Sequence, residues 1–148
     1  MNEHGIITAL VELIDAALPN IDVLDGDTLA VDADLPKRLV CVGASSPNAP
    51  AVTVAAAPEE GGLGDLMYDM EVNCSTYALD GEMEYGTKRV KVQAVLDAIH
   101  EALVADLKLG GLAYETWLAR ERQWFQLSDE TGTTVWCDFT IIARVFAP

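Results

Sequence analysis

The sequence predicts an α+β domain: a mainly antiparallel sheet with two helices packed on one face, plus extended loops or a projecting hairpin. Two segments repeat apolar residues at spacings of three and four, the stripe of a helix with one buried face. Several other segments alternate apolar and polar residues, the period of a strand. In chain order these run helix, two strands, strand, helix, two strands, and no repeat or linker divides them. The 148 residues are therefore expected to form a single domain, 1–148.

The first helix spans 5–18, "GIITALVELIDAAL", with Ile6, Leu10, Leu13, Ile14 and Leu18 on one stripe. Pro19 disfavours helical geometry at the residue before it and ends the helix. His4 precedes it, in an expected N-terminal tail. The stretch 22–37 carries Asp22, Asp25, Asp27, Asp32 and Asp34 around a glycine and reads as a loop or short hairpin. "RLVCVG" (38–43) and "APAVTVAAA" (49–57) read as short strands, joined by the turn residues "SSPN". "PEEGGLGDL" (58–66), with Glu59, Glu60 and Asp65, reads as a second acidic loop. The loops at 22–37 and 58–66 are candidate interaction arms.

A longer strand follows in "YDMEVNCSTYALDGE". It should set Tyr68, Met70, Val72, Cys74 and Thr76 on one face. Asp69, Glu71, Asn73, Ser75 and Tyr77 should face water on the other. The second helix spans 87–108, with Val92, Val95, Leu96, Ile99, Leu103 and Leu107 on one side and a stop at Gly110 and Gly111. Two strands close the chain. "LAYETWLARERQWFQL" (112–127) reads as one long strand. "TTVWCDFTIIARVF" (133–146) pairs with it through "SDETG", with Val135, Cys137, Phe139, Ile141, Ala143 and Val145 on one face.

Composition narrows function. With 24 acidic against 9 basic residues the formal net charge is −15, and such a surface repels nucleic-acid backbones and anionic membranes. No apolar run reaches the length of a membrane span, and "MNEHGIITAL" lacks the basic region of a signal peptide, so the chain is expected to stay in the cytoplasm where it is made. Cys41, Cys74 and Cys137 form no CxxC pair and read as three reduced thiols.

Cys74, beside Ser75 and Thr76, is the one candidate nucleophile. A thiolate needs a base or a helix N-terminus to lower its pKa. The two histidines are His4 and His100, the latter at the border of the second helix's stripe, and neither is near Cys74 in sequence. All three cysteines fall on alternating strands, which favours small buried side chains. The aspartates of 22–34 do not match the spacing of a calcium loop. No phosphate loop, GxSxG elbow or HExxH is present. We expect no enzyme activity, catalytic residue, metal or cofactor.

One cluster breaks a local rule. Lys88, Arg89 and Lys91 crowd the start of the second helix, where each cation opposes the helix dipole at a cost of roughly 0.3–1 kcal/mol. The choice lies between a solvated helix end and a docking patch for an acidic surface. The acidic loops would supply that surface in head-to-tail association, which closes into a ring. Reversing all three charges would then weaken self-association. Trp117 and Trp124 differ by an odd number and should point to opposite faces, one into the core and the other as an interface anchor. Between them "ARER", with Arg120 and Arg122, is polar on both faces and suggests a projecting arm.

Three stretches carry a family likeness: the opening helix ending "LIDAALP"; "YDMEVNCSTYALDGE" followed by "VQAVLDAIHEALVADLKLGGL"; and the final hairpin ending "WCDFTIIARVF". In their order and spacing the chain resembles the tail terminator (minor tail, tail-completion) proteins of long-tailed bacteriophages. The region 22–65 matches least. The resemblance implies a structural virion protein, assembled in the host cytoplasm. It would form a ring, usually a hexamer, at the head-proximal end of the tail. Such a ring caps the tail tube, ends its polymerisation and docks the head–tail connector or stopper protein. DNA passes through its channel without specific binding, so an acidic loop lining the channel would ease ejection. The family supplies no active site to carry over. Rival readings are another neck protein (stopper or adaptor), a small cytosolic thiol enzyme using Cys74, and an orphan ligand-binding domain.

Overall fold

The computed structural model describes residues 2–26, 38–45, 49–57, 67–79, 84–129 and 132–146. Helix α1 spans Glu3–Ala17, two residues earlier than the stripe predicts, because the Asn2 side chain accepts the Gly5 N–H at 2.9 Å and caps it. His4 therefore sits on the helix and not in a tail. Ile6, Leu10 and Ile14 form its buried face.

Strands β1 (Asp22–Asp25), β2 (Arg38–Val42), β3 (Val52–Ala56) and β4 (Met67–Ala78) precede helix α2 (Tyr85–Ala105). Strands β5 (Glu115–Leu118), β6 (Gln123–Asp129) and β7 (Gly132–Phe146) follow it. Among the described residues these make one seven-stranded sheet in the order β1-β2-β4-β7-β5, with β3 also on β4 and β6 also on β7. Only the β1–β2 pair is parallel. The start of the acidic stretch is thus a strand, not a loop: Val23 packs against the core while Asp22 and Asp25 stay exposed.

The frame is the long antiparallel pair β4–β7, in register from Met67↔Phe146 to Ala78↔Val135. Each long strand is flanked by two short ones laid end to end. On β4, β2 covers residues 74–78 and β3 covers 68–72. On β7, β5 covers 141–144 and β6 covers 132–138. The segment expected to be one projecting strand is therefore two strands on the sheet, separated by residues 119–122. Only the β7 residues 132–134 reach past the β4 pairing.

Helices α1 and α2 pack on the face that carries Met70, Val72, Cys74, Val135, Cys137, Phe139 and Ile141. No helix among the described residues is long and apolar enough to cross a membrane. Helix α2 buries Val92, Val95, Leu96, Ile99 and Leu103 as the spacing predicts. It ends before Leu107, which lies exposed, and Leu109 is buried instead. The reversal needs left-handed backbone at Leu109 (φ 49°), Gly110 (φ 65°) and Gly111 (φ 95°). The Asp106 carboxylate holds it by accepting the Gly110 N–H at 3.1 Å.

Candidate functional site

The thiols are core residues. Cys74 is 0% exposed, its Sγ donates to the Val72 carbonyl at 3.5 Å, and burial pushes its pKa up to about 12. Burial pushes Cys137 up to about 11, against the lowering pull of the Arg122 charge. Cys41 is buried as well. His4 and His100 are exposed. Cys74 has the environment of an inert thiol, not a nucleophile. Among the described residues no group of His, Cys, Asp and Glu could hold a metal ion.

The basic cluster at the start of α2 does not stand together at the surface. Lys88 is 0% exposed. Its Nζ donates to the Thr133 carbonyl and, at 2.8 Å, to the Thr133 hydroxyl, and so ties the first turn of α2 to the start of β7. Position 88 lies four residues before Val92, on the buried stripe, and only the long lysine stem lets its ammonium reach backbone oxygen. Lys88 therefore cannot belong to the expected three-residue surface patch. Arg89 is exposed and donates to Gln126 Oε1 at 2.5 Å; Lys91 is half-buried, beside the end of α1 and Arg38.

The tryptophans do point to opposite faces, but neither enters the core. Trp117 pairs with Ile142, on the face away from the helices. The Arg144 guanidinium lies 5.2 Å from its ring centroid and is held at 2.8 and 3.1 Å by the Asp69 carboxylate. Trp124 pairs with Cys137 on the helix side, at the sheet edge, 38% exposed. It borders Arg89, Val90 and Gln93.

The outer face, expected to be plainly polar, is not. Tyr77, Trp136 and Phe125 form a stacked row across three strands, with centroids 5.9 and 5.1 Å apart. Ser75 is buried and donates to the Ala44 carbonyl at 3.2 Å. The register explains the row, since Tyr77↔Trp136 and Phe125↔Trp136 are both direct partners. Tyr77 and Trp136 lie in segments whose other face is apolar, so the alternation that marks the core hides this second surface.

Across that face runs a groove of about 660 Å³. Asn73 falls at the break between β2 and β3, where its N–H donates to the Ala51 carbonyl at 3.0 Å, and Phe139 and Thr140 fall at the break between β5 and β6, where the Thr140 carbonyl accepts the Ala119 N–H at 2.9 Å. Because Asn73 and Thr140 are direct partners, the two gaps lie at one level. The Thr140 hydroxyl donates to Asn73 Oδ1 at 3.2 Å and forms the floor, and Arg120, Glu121, Arg122 and Gln123 form one wall. Arg120 and Arg122 thus line a groove and are not on an arm. The spacing of "ARER" gave no signal of this, which depends on two strand breaks far apart in sequence.

Of the acidic candidates, Asp22 and Asp25 are exposed on β1, the outermost strand at the opposite edge. Asp27, Asp32, Asp34, Glu59, Glu60 and Asp65 lie outside the described residues. No protein-family model and no curated protein matches the chain.

Proposed function

We propose that the chain is a ring-forming structural subunit of the tail-terminator type, capping a phage tail tube and presenting a docking surface to the head connector. The observation that carries the reading is the open sheet. Its two edges are different surfaces, β1 and β3 on one side and β5 and β6 on the other. Edge strand β3, "VTVAA", is largely exposed and carries no charge, proline or bulge of the kind that protects an edge from pairing. A chain with two unlike adhesive edges associates head to tail, and head-to-tail contacts close into rings when the rotation allows. The inert environment of Cys74 weighs against the thiol-enzyme reading, and the resemblance in the two helices and the final hairpin supplies the tail. The test is the mass of the purified chain, alone and with tail-tube protein. A closed ring that halts tube growth is expected. A persistent monomer with no effect on tube length would sink the proposal.

A further inference from the structure

We infer that the groove wall at Arg120 and Arg122 receives the acidic β1 edge of a second copy of the chain, with the carboxylates of Asp22 and Asp25 as its ligands. This deepens the ring reading and rests on it. Two features of the groove point to a carboxylate. Arg120 is exposed and makes no ion pair or hydrogen bond with any described residue. Arg122 is half-buried, and its Nε–H is sealed from water with no acceptor. A carboxylate arriving in the groove meets the exposed Arg120 guanidinium and whatever part of the half-buried Arg122 stays open, and accepts guanidinium in a forked pair. Glu121 and Asp138 line the same groove and neither accepts that N–H.

The occupant follows from charge and topology. At net charge −15 the chain is itself rich in carboxylates. Strand β1 lies at one edge of the sheet and the 119–122 segment at the other, so no chain reaches its own groove with its own β1 within the sheet order. Asp22 and Asp25 are exposed on that far edge. Opposite charges on opposite edges give a heterologous contact, each subunit donating its acidic edge to the next one's arginines. Among the other described basic side chains, Lys88 is buried, Arg144 is held by Asp69, and Arg89 donates to Gln126.

The experiment compares self-association of four full-length chains by sedimentation equilibrium in moderate salt. They are the wild type, Arg120→Glu with Arg122→Glu, Asp22→Lys with Asp25→Lys, and all four substitutions together. Thermal melts establish that each is folded. We expect each double variant to associate at least about tenfold more weakly, because like charges then face each other, and the fourfold charge swap to recover most of that loss. A wild type that forms rings beside an Arg120→Glu/Arg122→Glu variant that forms them equally well overturns the groove contact alone. Loss in both double variants without recovery in the charge swap overturns the pairing of these two edges. A wild type that stays monomeric, alone and on the tail tube, overturns the ring reading and the second-copy occupant together.

Discussion

Two basic clusters look alike in the sequence and meet opposite fates. "KRVK" at the start of α2 and "RER" between β5 and β6 each concentrate cations in an acidic chain. The first is drawn inward: Lys88 lies on the buried stripe of α2 and anchors Thr133. The second stays at the surface, because the chain there leaves β7 between two strands and has no helix to fold it inward. A run of charge is thus read by the phase of its element and not by its density. Where the period puts a lysine among valines and leucines, the lysine serves the fold.

The sharpest way to break this contrast is charge reversal at each site. Lys88→Glu places a carboxylate against the Thr133 carbonyl in a sealed site, and should lower stability by at least about 3 kcal/mol. Lys88→Met keeps the stem and loses only charge-assisted hydrogen bonds, about 1.5–3 kcal/mol. Denaturant titration measures both. Arg120→Glu, at an exposed site, should change association while shifting the unfolding midpoint little. Equal midpoints for wild type and Lys88→Glu would end the distinction. Any test of self-association that includes Lys88 reports on folding and not on docking.

Cys74 in the native state stays protonated up to about pH 12, whereas its unfolded form ionises near 9.0. Above pH 9 the unfolded state therefore binds fewer protons than the native one, and stability falls as pH rises from 9 to 12 by about 1.4 kcal/mol per unit for this group. Below pH 9 the thiol contributes no slope. Cys137 feels the Arg122 charge, which holds its pKa below what burial alone would give. Arg122→Ala should then raise it further, and no change in alkylation of Cys137 between pH 9 and 11 would show that the guanidinium is not where the groove needs it.

The helices and the core face of β4 and β7 are legible because a single period governs each: Val92 to Leu103 on α2 follow it, and so do Val135 to Val145 on β7 apart from the buried Asp138. Cys74 was legible for the same reason. The outer face was not, because its features are pairings. Trp136 meets Tyr77 and Phe125 through register, Arg144 meets Asp69 across 75 positions, and the groove exists because two strand breaks coincide. Charge density masks the phase that places Lys88 on the buried stripe, and Leu107 continues the stripe in sequence but lies past the end of the helix. Strand β1 was missed because a four-residue strand with acids at both ends lacks any alternation to detect.

The smallest effect separates two members of one cluster within one helix turn. Arg89 neighbours Lys88 but points to water, where its guanidinium meets the Gln126 amide on β6, beside the exposed edge of Trp124. Both partners are exposed, so water replaces either one when it is removed, and side-chain freedom is regained. Arg89→Ala should therefore change stability by no more than about 0.5 kcal/mol, well below the Lys88→Met loss one residue away. It also removes a cation from the first turns of α2, where it opposes the helix dipole, and this offsets part of the lost hydrogen bond. Denaturant titrations of Arg89→Ala and Lys88→Met run side by side give the difference directly. If the Arg89 variant lost as much as the Lys88 variant, the contact with Gln126 would be a structural tie between α2 and β6, and the division of this cluster into an inward anchor and a solvated neighbour would be wrong.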